Sequence, residues 1–312
     1  MKLLVTGING WIASALVRHT CLQGMDVRGT ARLSQSPQVV STGSISQTTD
    51  WSRALDGRSV VIHLAARVHI LKDPAPHSLA AYSEVNSDGT LQLMRQAAAS
   101  GVRRFVFVSS VKVNGESTSP EQPFRQDDPA APVDPYGISK REAEDGLREI
   151  AAATGMEVVI VRPPLVYGPG VKANFAALMN AVKRGLPLPL GSVTENRRSL
   201  VALDNLVDLL ITCIDHPAAA NQTFLVSDDE DLSTADLLWR LGKAMGRPAR
   251  LFPMPPALLR TGAALLGKSD MAERLLGNLQ VDITHTKQTL GWTPPITVDE
   301  GLRRAAAGVG VP

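Results

Sequence analysis

Short apolar runs rich in valine and isoleucine recur through the first half of the chain and constrain its fold more than any other feature. They lie at residues 2–7, 26–31, 59–66, 103–110 and 156–163. Alanine- and leucine-rich segments of helical length separate most of them. Because strands that alternate with helices form βαβ units, the pattern predicts an α/β fold with a doubly wound parallel sheet that is covered by helices on both faces.

The pattern changes after Pro163 and Pro164. Proline-rich connections now join helical stretches, which lie at residues 173–185, 204–216, 233–245 and 256–266. Short strand-like runs occur at residues 198–203 and 222–227. We therefore expect one domain over residues 1–164 and a smaller, mainly helical lobe over residues 165–312, interleaved with the first.

Charge and cysteine content exclude several classes of function. The 312 residues include 32 basic and 30 acidic side chains, so the net charge of +2 favours neither nucleic acid nor a membrane surface as a partner. The two cysteines give no disulfide framework and no metal-ligand spacing, so we expect no metal. The N-terminus lacks a signal-peptide pattern, and the apolar runs are shorter than the roughly 20 residues of a membrane helix. We expect a cytoplasmic protein.

A glycine turn follows the first apolar run directly. Gly7, Gly10 and Ala13 form the pattern G-x-x-G-x-x-A at the start of a helical segment. Glycines at such a turn let backbone N–H groups approach a pyrophosphate at the helix N-terminus. The turn could also be purely structural, but its position after the first strand of a βαβ array favours a dinucleotide site. The residues that we expect to line it are Gly7, Asn9, Gly10, Trp11 and Ile12.

A tyrosine and a lysine lie four residues apart in the segment YGISK. This spacing places Tyr136 and Lys140 on one face of a helix. A nearby ammonium group lowers the pKa of a phenol, so we expect Tyr136 to act as a general acid or base. Ser109 and Ser110 close the fourth strand at the edge where doubly wound sheets bind ligands, and one hydroxyl there can hold a substrate carbonyl. The pair alone is common by chance, but these neighbours favour a catalytic site.

Seven motifs in order give the chain a wider resemblance. They are TGINGWIA at 6–13, HLAA at 63–66, VNSDGT at 85–90, FVSSVKVNG at 107–115, DPYGISK at 134–140, RPPLVYGPG at 162–170 and RRSLVALDNL at 197–206. Together they resemble the extended short-chain dehydrogenase/reductases, the NAD-dependent epimerase/dehydratase family, over nearly the whole length. The resemblance implies a Rossmann fold, a UDP-sugar substrate and a homodimer.

The resemblance also implies roles for individual residues. The catalytic residues would be Ser110, Tyr136 and Lys140. Further residues at the cofactor, beside Tyr136 and Lys140 themselves, would be Leu64, Ala65, Ala66, Asn86 and Pro163. The substrate would contact Ser110, Lys112, Asn174 and Arg198. Lys112 stands where galactose epimerases carry Thr or Ser, and Asn114 where they carry an aromatic residue, so we expect a different sugar pocket. His63 is expected to be a core histidine.

The segment DVRGTAR at 26–32 bears on the choice of cofactor. No Asp or Glu follows this strand to bind a ribose 2′-hydroxyl, and Arg32 stands where an arginine accommodates a 2′-phosphate. Arg32 could also be a plain surface residue. The prediction is NADPH/NADP, with NAD possible as the alternative.

The same segment and the whole-chain motifs resemble the bacterial 4-ketoreductases of O-antigen and lipopolysaccharide synthesis. That resemblance implies reduction of a UDP-2-acetamido-2,6-dideoxy-4-hexulose to UDP-N-acetylquinovosamine or UDP-N-acetylfucosamine. The alternative is a UDP-N-acetylhexosamine 4-epimerase with tightly bound NAD. A catalytically idle NADP sensor or scaffold is the third reading, and the presence of both Tyr136 and Lys140 argues against it.

Overall fold

Parallel strands form the centre of the molecule. The computed structural model describes residues 1–68 and 79–308. In this part of the chain seven strands form one sheet, namely β1 (Lys2–Thr6), β2 (Asp26–Ala31), β3 (Val39–Ser41), β4 (Val60–His63), β5 (Arg104–Val108), β6 (Glu157–Arg162) and β9 (Gln222–Leu225). Their order across the sheet is β3-β2-β1-β4-β5-β6-β9, and every pair is parallel. The predicted doubly wound α/β sheet is confirmed.

Helices cover the sheet and build the second lobe. They are α1 (Trp11–Leu22), α2 (Ser52–Leu55), α3 (Leu79–Ser83), α4 (Gly89–Ala99), α5 (Pro135–Thr154), α6 (Ala173–Lys183), α7 (Leu203–Asp215), α8 (Thr234–Ala244), α9 (Pro256–Leu265), α10 (Ser269–Leu276), α11 (Thr284–Leu290) and α12 (Val298–Ala307). A π-helical turn at Glu84–Asp88 joins α3 to α4, and a 3₁₀ turn at Val111–Val113 follows β5. No helix in these ranges is long and apolar enough to cross a membrane.

Alternate strand residues pack into different cores. Leu3 and Val5 of β1 lie in a cluster with α1 and α7, whereas Leu4 lies in a cluster with α4 and α5. Successive side chains of a strand point to opposite faces, so a sheet that is covered on both faces buries both sets. This explains why the runs are apolar throughout and show no polar alternation.

A third core belongs to the C-terminal lobe. It contains Tyr167, Phe175 and Leu238, and it includes residues of a separate two-stranded sheet of β7 (Leu165–Tyr167) and β8 (Leu200–Ala202). The predicted helices from residue 173 onward agree with α6, α7, α8 and α9. The strand-like run at 222–227, which we expected in the smaller lobe, contains β9, and this strand pairs with β6 at the edge of the main sheet. The division at residue 164 stays a prediction.

Candidate active site

The glycine turn leaves the start of α1 open to a ligand. Gly7 has φ +66°, and a Cβ there would lie 3.0 Å from the Cα of Ala65, so only glycine permits this close approach. Gly10 precedes α1, donates its N–H to the carbonyl of Gly7 at 2.7 Å and carries no side-chain cap. Backbone N–H groups at an uncapped helix N-terminus bind anions. The residues of the turn therefore fit the pyrophosphate of a dinucleotide.

The other predicted residues of the turn differ in exposure. Asn9 is exposed, whereas Trp11 and Ile12 are half-buried. Ile12 packs against the core of the sheet, and the indole N–H of Trp11 donates to the carbonyl of Pro169 at 2.7 Å. Trp11 thereby ties the turn to the segment that follows β7. Roles of both residues toward a cofactor stay predictions.

A directed chain of hydrogen bonds organises the end of β4. The Thr6 hydroxyl accepts from the N–H groups of Leu64 and Ala65, both at 3.1 Å, so its own hydrogen goes to His63 Nδ1 at 2.7 Å. His63 Nε2 lies 2.9 Å from the hydroxyl of Thr90, which donates to a backbone carbonyl. The imidazole therefore carries its hydrogen on Nε2. Burial, with a contribution from Lys140, holds the pKa of His63 at about 3 and keeps the ring neutral. The expectation of a core histidine is confirmed.

Asn86 braces this region through its side-chain amide. It lies fully buried in the π-helical turn, accepts from the N–H of Arg67 at 2.7 Å and donates to the carbonyl of Arg67 and to the hydroxyl of Ser139, both at 3.0 Å. These bonds connect the segment after β4 to α5. Ala65 and Ala66 in that segment are half-buried, as is Leu64. Their predicted contact with a cofactor stays a prediction, and the Asn86 amide is used within the protein.

The start of α5 places the tyrosine and the lysine. Asp134 caps the helix by accepting from the N–H of Gly137 at 2.7 Å, and Pro135 occupies the first helical position, which favours a helix start here. Lys140 Nζ lies 5.9 Å from the ring centre of Tyr136 and 4.4 Å from that of Phe107. It donates to the carbonyl of Val108 at 2.9 Å. The predicted pair therefore shares one helix face at the carboxyl end of β5.

The charge states of this pair differ from the sequence-based expectation. Burial lowers the pKa of Lys140 to about 7, and Glu144 opposes that shift. Burial also raises the pKa of the Tyr136 phenol, and the charges of Asp134 and Tyr82 add to the rise. The prediction that the pKa of the phenol is lowered is wrong for the protein alone, because burial and the charge of Asp134 raise it. Tyr136 is therefore protonated at neutral pH and ready to donate a proton.

The two serines at the end of β5 have different partners. Ser109 is buried and donates to Glu144 Oε1 at 2.6 Å. Ser110 accepts from the N–H of Lys112 at 3.2 Å, and no acceptor in residues 1–68 and 79–308 takes its hydroxyl hydrogen. Ser110 is therefore the hydroxyl that can donate to a substrate oxygen, as the sequence predicts.

Glu144 is the centre of a buried polar network that sequence reasoning missed. Beside Ser109 it accepts from Arg162 Nε at 2.9 Å and Nη2 at 2.6 Å, and from Arg148 at 3.0 Å. Arg162 also donates to the side chain of Asn114 at 3.0 Å. The network holds the end of β6 against α5, and the next residue, Pro163, accepts from the N–H of Val111 at 3.0 Å. A carboxylate one helical turn after Lys140 was the available signal.

The predicted substrate residues lie on separate elements. Asn174 is exposed in the first turn of α6. Arg198 donates to the carbonyl of Gly277 at 3.2 Å, and the pKa of its guanidinium is lowered by burial and by the charge of Arg274. Two guanidinium groups whose charges act on each other suit a phosphate group. Arg274 was missed by sequence reasoning. Lys112 is paired with Asp134 and Glu116, and its contact with a substrate stays a prediction.

The two arginines of the second strand have different surroundings. Arg28 donates to the carbonyls of Arg53 and Asp56, both at 2.9 Å, and so caps α2. Arg32 follows β2 and is exposed, and no carboxylate pairs with it in the part of the chain that the structure describes. Arg32 is therefore the arginine available to a bound anion at this strand end.

Comparison with known proteins identifies the family. The family model described as "NAD dependent epimerase/dehydratase family" matches residues 3–227. The chain belongs to this family. It is 48% identical over 309 residues to a UDP-glucose 4-epimerase of Vibrio cholerae, covering 98% of this chain and 94% of that protein. This relative is an epimerase, whereas the motifs in the sequence favoured the subgroup of 4-ketoreductases.

Solved structures share the fold along the whole chain. An Agrobacterium tumefaciens short-chain dehydrogenase/reductase superfamily protein with bound NAD matches with a TM-score of 0.76 at 25% identity, covering 99% of this chain and 97% of that one. The RMD protein of Pseudomonas aeruginosa, complexed with NADPH, matches with a TM-score of 0.76 at 19% identity, covering 99% of both chains. The chain is thus an enzyme of a family that uses nicotinamide cofactors.

Proposed function

We propose that this protein is a UDP-hexose 4-epimerase that acts on a UDP-linked glucose or N-acetylhexosamine with bound NAD. The observation that carries the proposal is the grouping of the Ser110 hydroxyl, the Tyr136 phenol and Lys140 at the carboxyl ends of β5 and the start of α5. The Vibrio cholerae relative supports epimerisation over the reduction that Arg32 suggests. Arg198 and Arg274 would hold the diphosphate of the nucleotide sugar.

The residues of the site divide the proton chemistry between them. The C4 oxygen of the sugar would lie between Ser110 and Tyr136, with Ser110 donating a hydrogen bond to it. A nicotinamide cofactor, held at the turn of Gly7 and Gly10, would supply the reversible hydride transfer at C4. Tyr136 takes the hydroxyl proton in the first half of the reaction and gives it back in the second. Burial and the charge of Asp134 favour the protonated phenol, which is the form that gives the proton back in the second half of the reaction.

A second candidate is the NADPH-dependent 4-ketoreductase of a UDP-4-keto-6-deoxy-N-acetylhexosamine, in O-antigen synthesis. The exposed Arg32 and the lack of a following carboxylate favour it, because a guanidinium pairs with a 2′-phosphate. A phenol that is protonated at rest also suits reduction, in which Tyr136 donates first. The cytoplasmic location and the homodimer predicted from the sequence remain part of either proposal.

One experiment separates the two candidates. The purified protein is incubated with UDP-glucose and UDP-N-acetylglucosamine without added cofactor, and separately with the UDP-4-keto-6-deoxy-N-acetyl sugar plus NADPH or NADH, with absorbance followed at 340 nm. An epimerase converts the first substrates with no net absorbance change and releases NAD on denaturation. Stoichiometric NADPH oxidation with the keto sugar would instead support the reductase, and inactivity in both assays would refute both.

A further inference from the structure

Lys112 lies between Ser110 and the start of the helix that carries Tyr136. Its backbone N–H donates to the Ser110 hydroxyl oxygen at 3.2 Å. Its ammonium group donates to Asp134 and, at 2.9 Å, to Glu116. One residue therefore contacts both the hydroxyl that faces the substrate and the capping carboxylate of the catalytic helix.

The backbone of Lys112 also packs against the first turn of α5. A Cβ at Gly137 would lie 2.9 Å from the Lys112 carbonyl oxygen and 3.1 Å from Asp134 Oδ1, so the two segments meet with no room for a side chain. Asp134 uses one carboxylate oxygen for the N–H of Gly137 and the other for Lys112. A shift of Lys112 would therefore move Ser110 relative to the residues that surround Tyr136.

The charge of Lys112 also acts on the surroundings of the Tyr136 phenol. Asp134 lies two residues before Tyr136, and its negative charge raises the pKa of the phenol. Burial opposes protonation of Lys112, but its hydrogen bonds to Asp134 and Glu116 raise its pKa overall, so the ammonium group stays charged at neutral pH. Lys112 thus offsets part of the Asp134 charge.

The remaining groups near the phenol are limited in number. Tyr82 of α3 meets the Tyr136 ring edge-on with ring centres 6.3 Å apart, and Lys140 lies 5.9 Å from the ring centre. The guanidinium group of Arg67 lies over the Tyr82 ring, 5.8 Å from its centre. Among the described residues, Asp134 is the carboxylate whose charge acts on Tyr136, so its neutralisation matters.

We propose that Lys112 is a positioning residue for proton transfer, which fixes Ser110 against the start of α5 and neutralises the Asp134 carboxylate beside Tyr136. The proposal rests on the proposed function, because that function makes Tyr136 the proton-transfer group.

The test compares Lys112→Met, Lys112→Arg, Asp134→Asn and the double variant Lys112→Met/Asp134→Asn on whichever UDP-sugar the wild type turns over. Loss of Lys112 leaves the Asp134 anion unpaired and favours the neutral phenol. We expect the tyrosine-dependent limb of the kcat–pH profile to move to higher pH by roughly one unit in Lys112→Met. A rise confined to KM, with the limb unmoved, would instead assign Lys112 to substrate binding and contradict the inference.

The other variants distinguish the electrostatic effect of Lys112 from its structural role. Lys112→Arg should keep the limb in place, and Asp134→Asn, whose amide oxygen can still cap the helix, should move it to lower pH. The double variant should return the limb toward the wild-type position, which a purely structural role of Lys112 would not do. Glu116→Gln removes the other partner of Lys112 and serves as the control, with an unmoved limb.

Two results would overturn the inference. One is an unmoved limb in a folded Lys112→Met variant, and the other is a limb that Asp134→Asn fails to lower, which decides the question even if Lys112→Met does not fold. An inactive wild type would instead refute the proposed function, so the two failures are distinguishable.

Discussion

The strand ends that carry the catalytic groups differ sharply from the strand end that carries Arg32. At β5 and β6, Ser109 and Arg162 are buried and both bind Glu144. At β2, Arg32 is exposed and pairs with no carboxylate in the described residues. We call the first the rigid region, because its polar groups are buried and paired, and the second the open region, because its charge is exposed. We expect proton transfer to depend on the rigid region and cofactor choice to depend on the open region.

Replacement of the phenol tests the rigid region most directly. Tyr136→Phe keeps the ring that meets Tyr82 but removes the proton donor. We expect kcat to fall by about 10²- to 10⁴-fold, because positioned acid–base groups contribute that much, while thermal stability stays near that of the wild type. Steady-state kinetics and thermal unfolding measure both. A variant that kept most of its kcat would remove Tyr136 from the mechanism.

The buried network around Glu144 should stabilise the folded protein. Glu144→Gln leaves Arg162 buried without its charged partner, so we expect the free energy of unfolding to fall by about 3 kcal/mol or more in urea denaturation. The matched control is Glu149→Gln, which removes an exposed carboxylate from the same helix and should change stability by less than about 0.5 kcal/mol. Equal effects of the two variants would mean that the network does not brace the site.

Lys140 should make the stability of the rigid region depend on pH. Its pKa is about 7 in the folded protein against an ordinary 10.5, so the unfolded chain binds the extra proton between these values. The free energy of unfolding therefore rises with pH between about 7 and 10.5, by at most about 1.4 kcal/mol per pH unit. Below pH 7 the buried lysine destabilises the folded protein by its full amount. Lys140→Met should accordingly stabilise the protein most at pH 6 and least near pH 10. Parallel stability curves for the two proteins would contradict the lowered pKa.

In the open region, substitution of Arg32 should change the preference between cofactors and no other property. Arg32→Asp replaces the exposed guanidinium with a carboxylate, and we expect the preference for NADPH over NADH to fall about tenfold or more, the scale of one charged hydrogen bond. Binding of each cofactor, measured by fluorescence titration, checks this. Arg18→Asp, an exposed charge reversal on α1, is the control and should leave the preference unchanged. If Arg32→Asp behaves like the control, Arg32 has no part in the choice.

Much of the fold was predictable because it depends on local patterns. The apolar runs, the glycine turn at Gly7 and the spacing of Tyr136 and Lys140 all report neighbours within a few residues. Glu144 and Arg162 meet across 18 residues of sequence, and Arg198 and Arg274 come from distant segments, so neither pairing has a local signature. The predicted direction of the pKa shift of Tyr136 was wrong for a related reason, because desolvation depends on the whole assembled site.

The pairing of β9 with β6 has a practical consequence for engineering. Residues 203–225 supply α7, which buries Leu206 and Leu210 against one face of the sheet, and the edge strand β9. A chimera joined at residue 164 would therefore exchange an edge strand and a covering helix together with the rest of the second lobe. We expect that lobe to determine substrate specificity, so it is better exchanged as two inserts, one on each side of residues 203–225, which leave the recipient's own sheet intact.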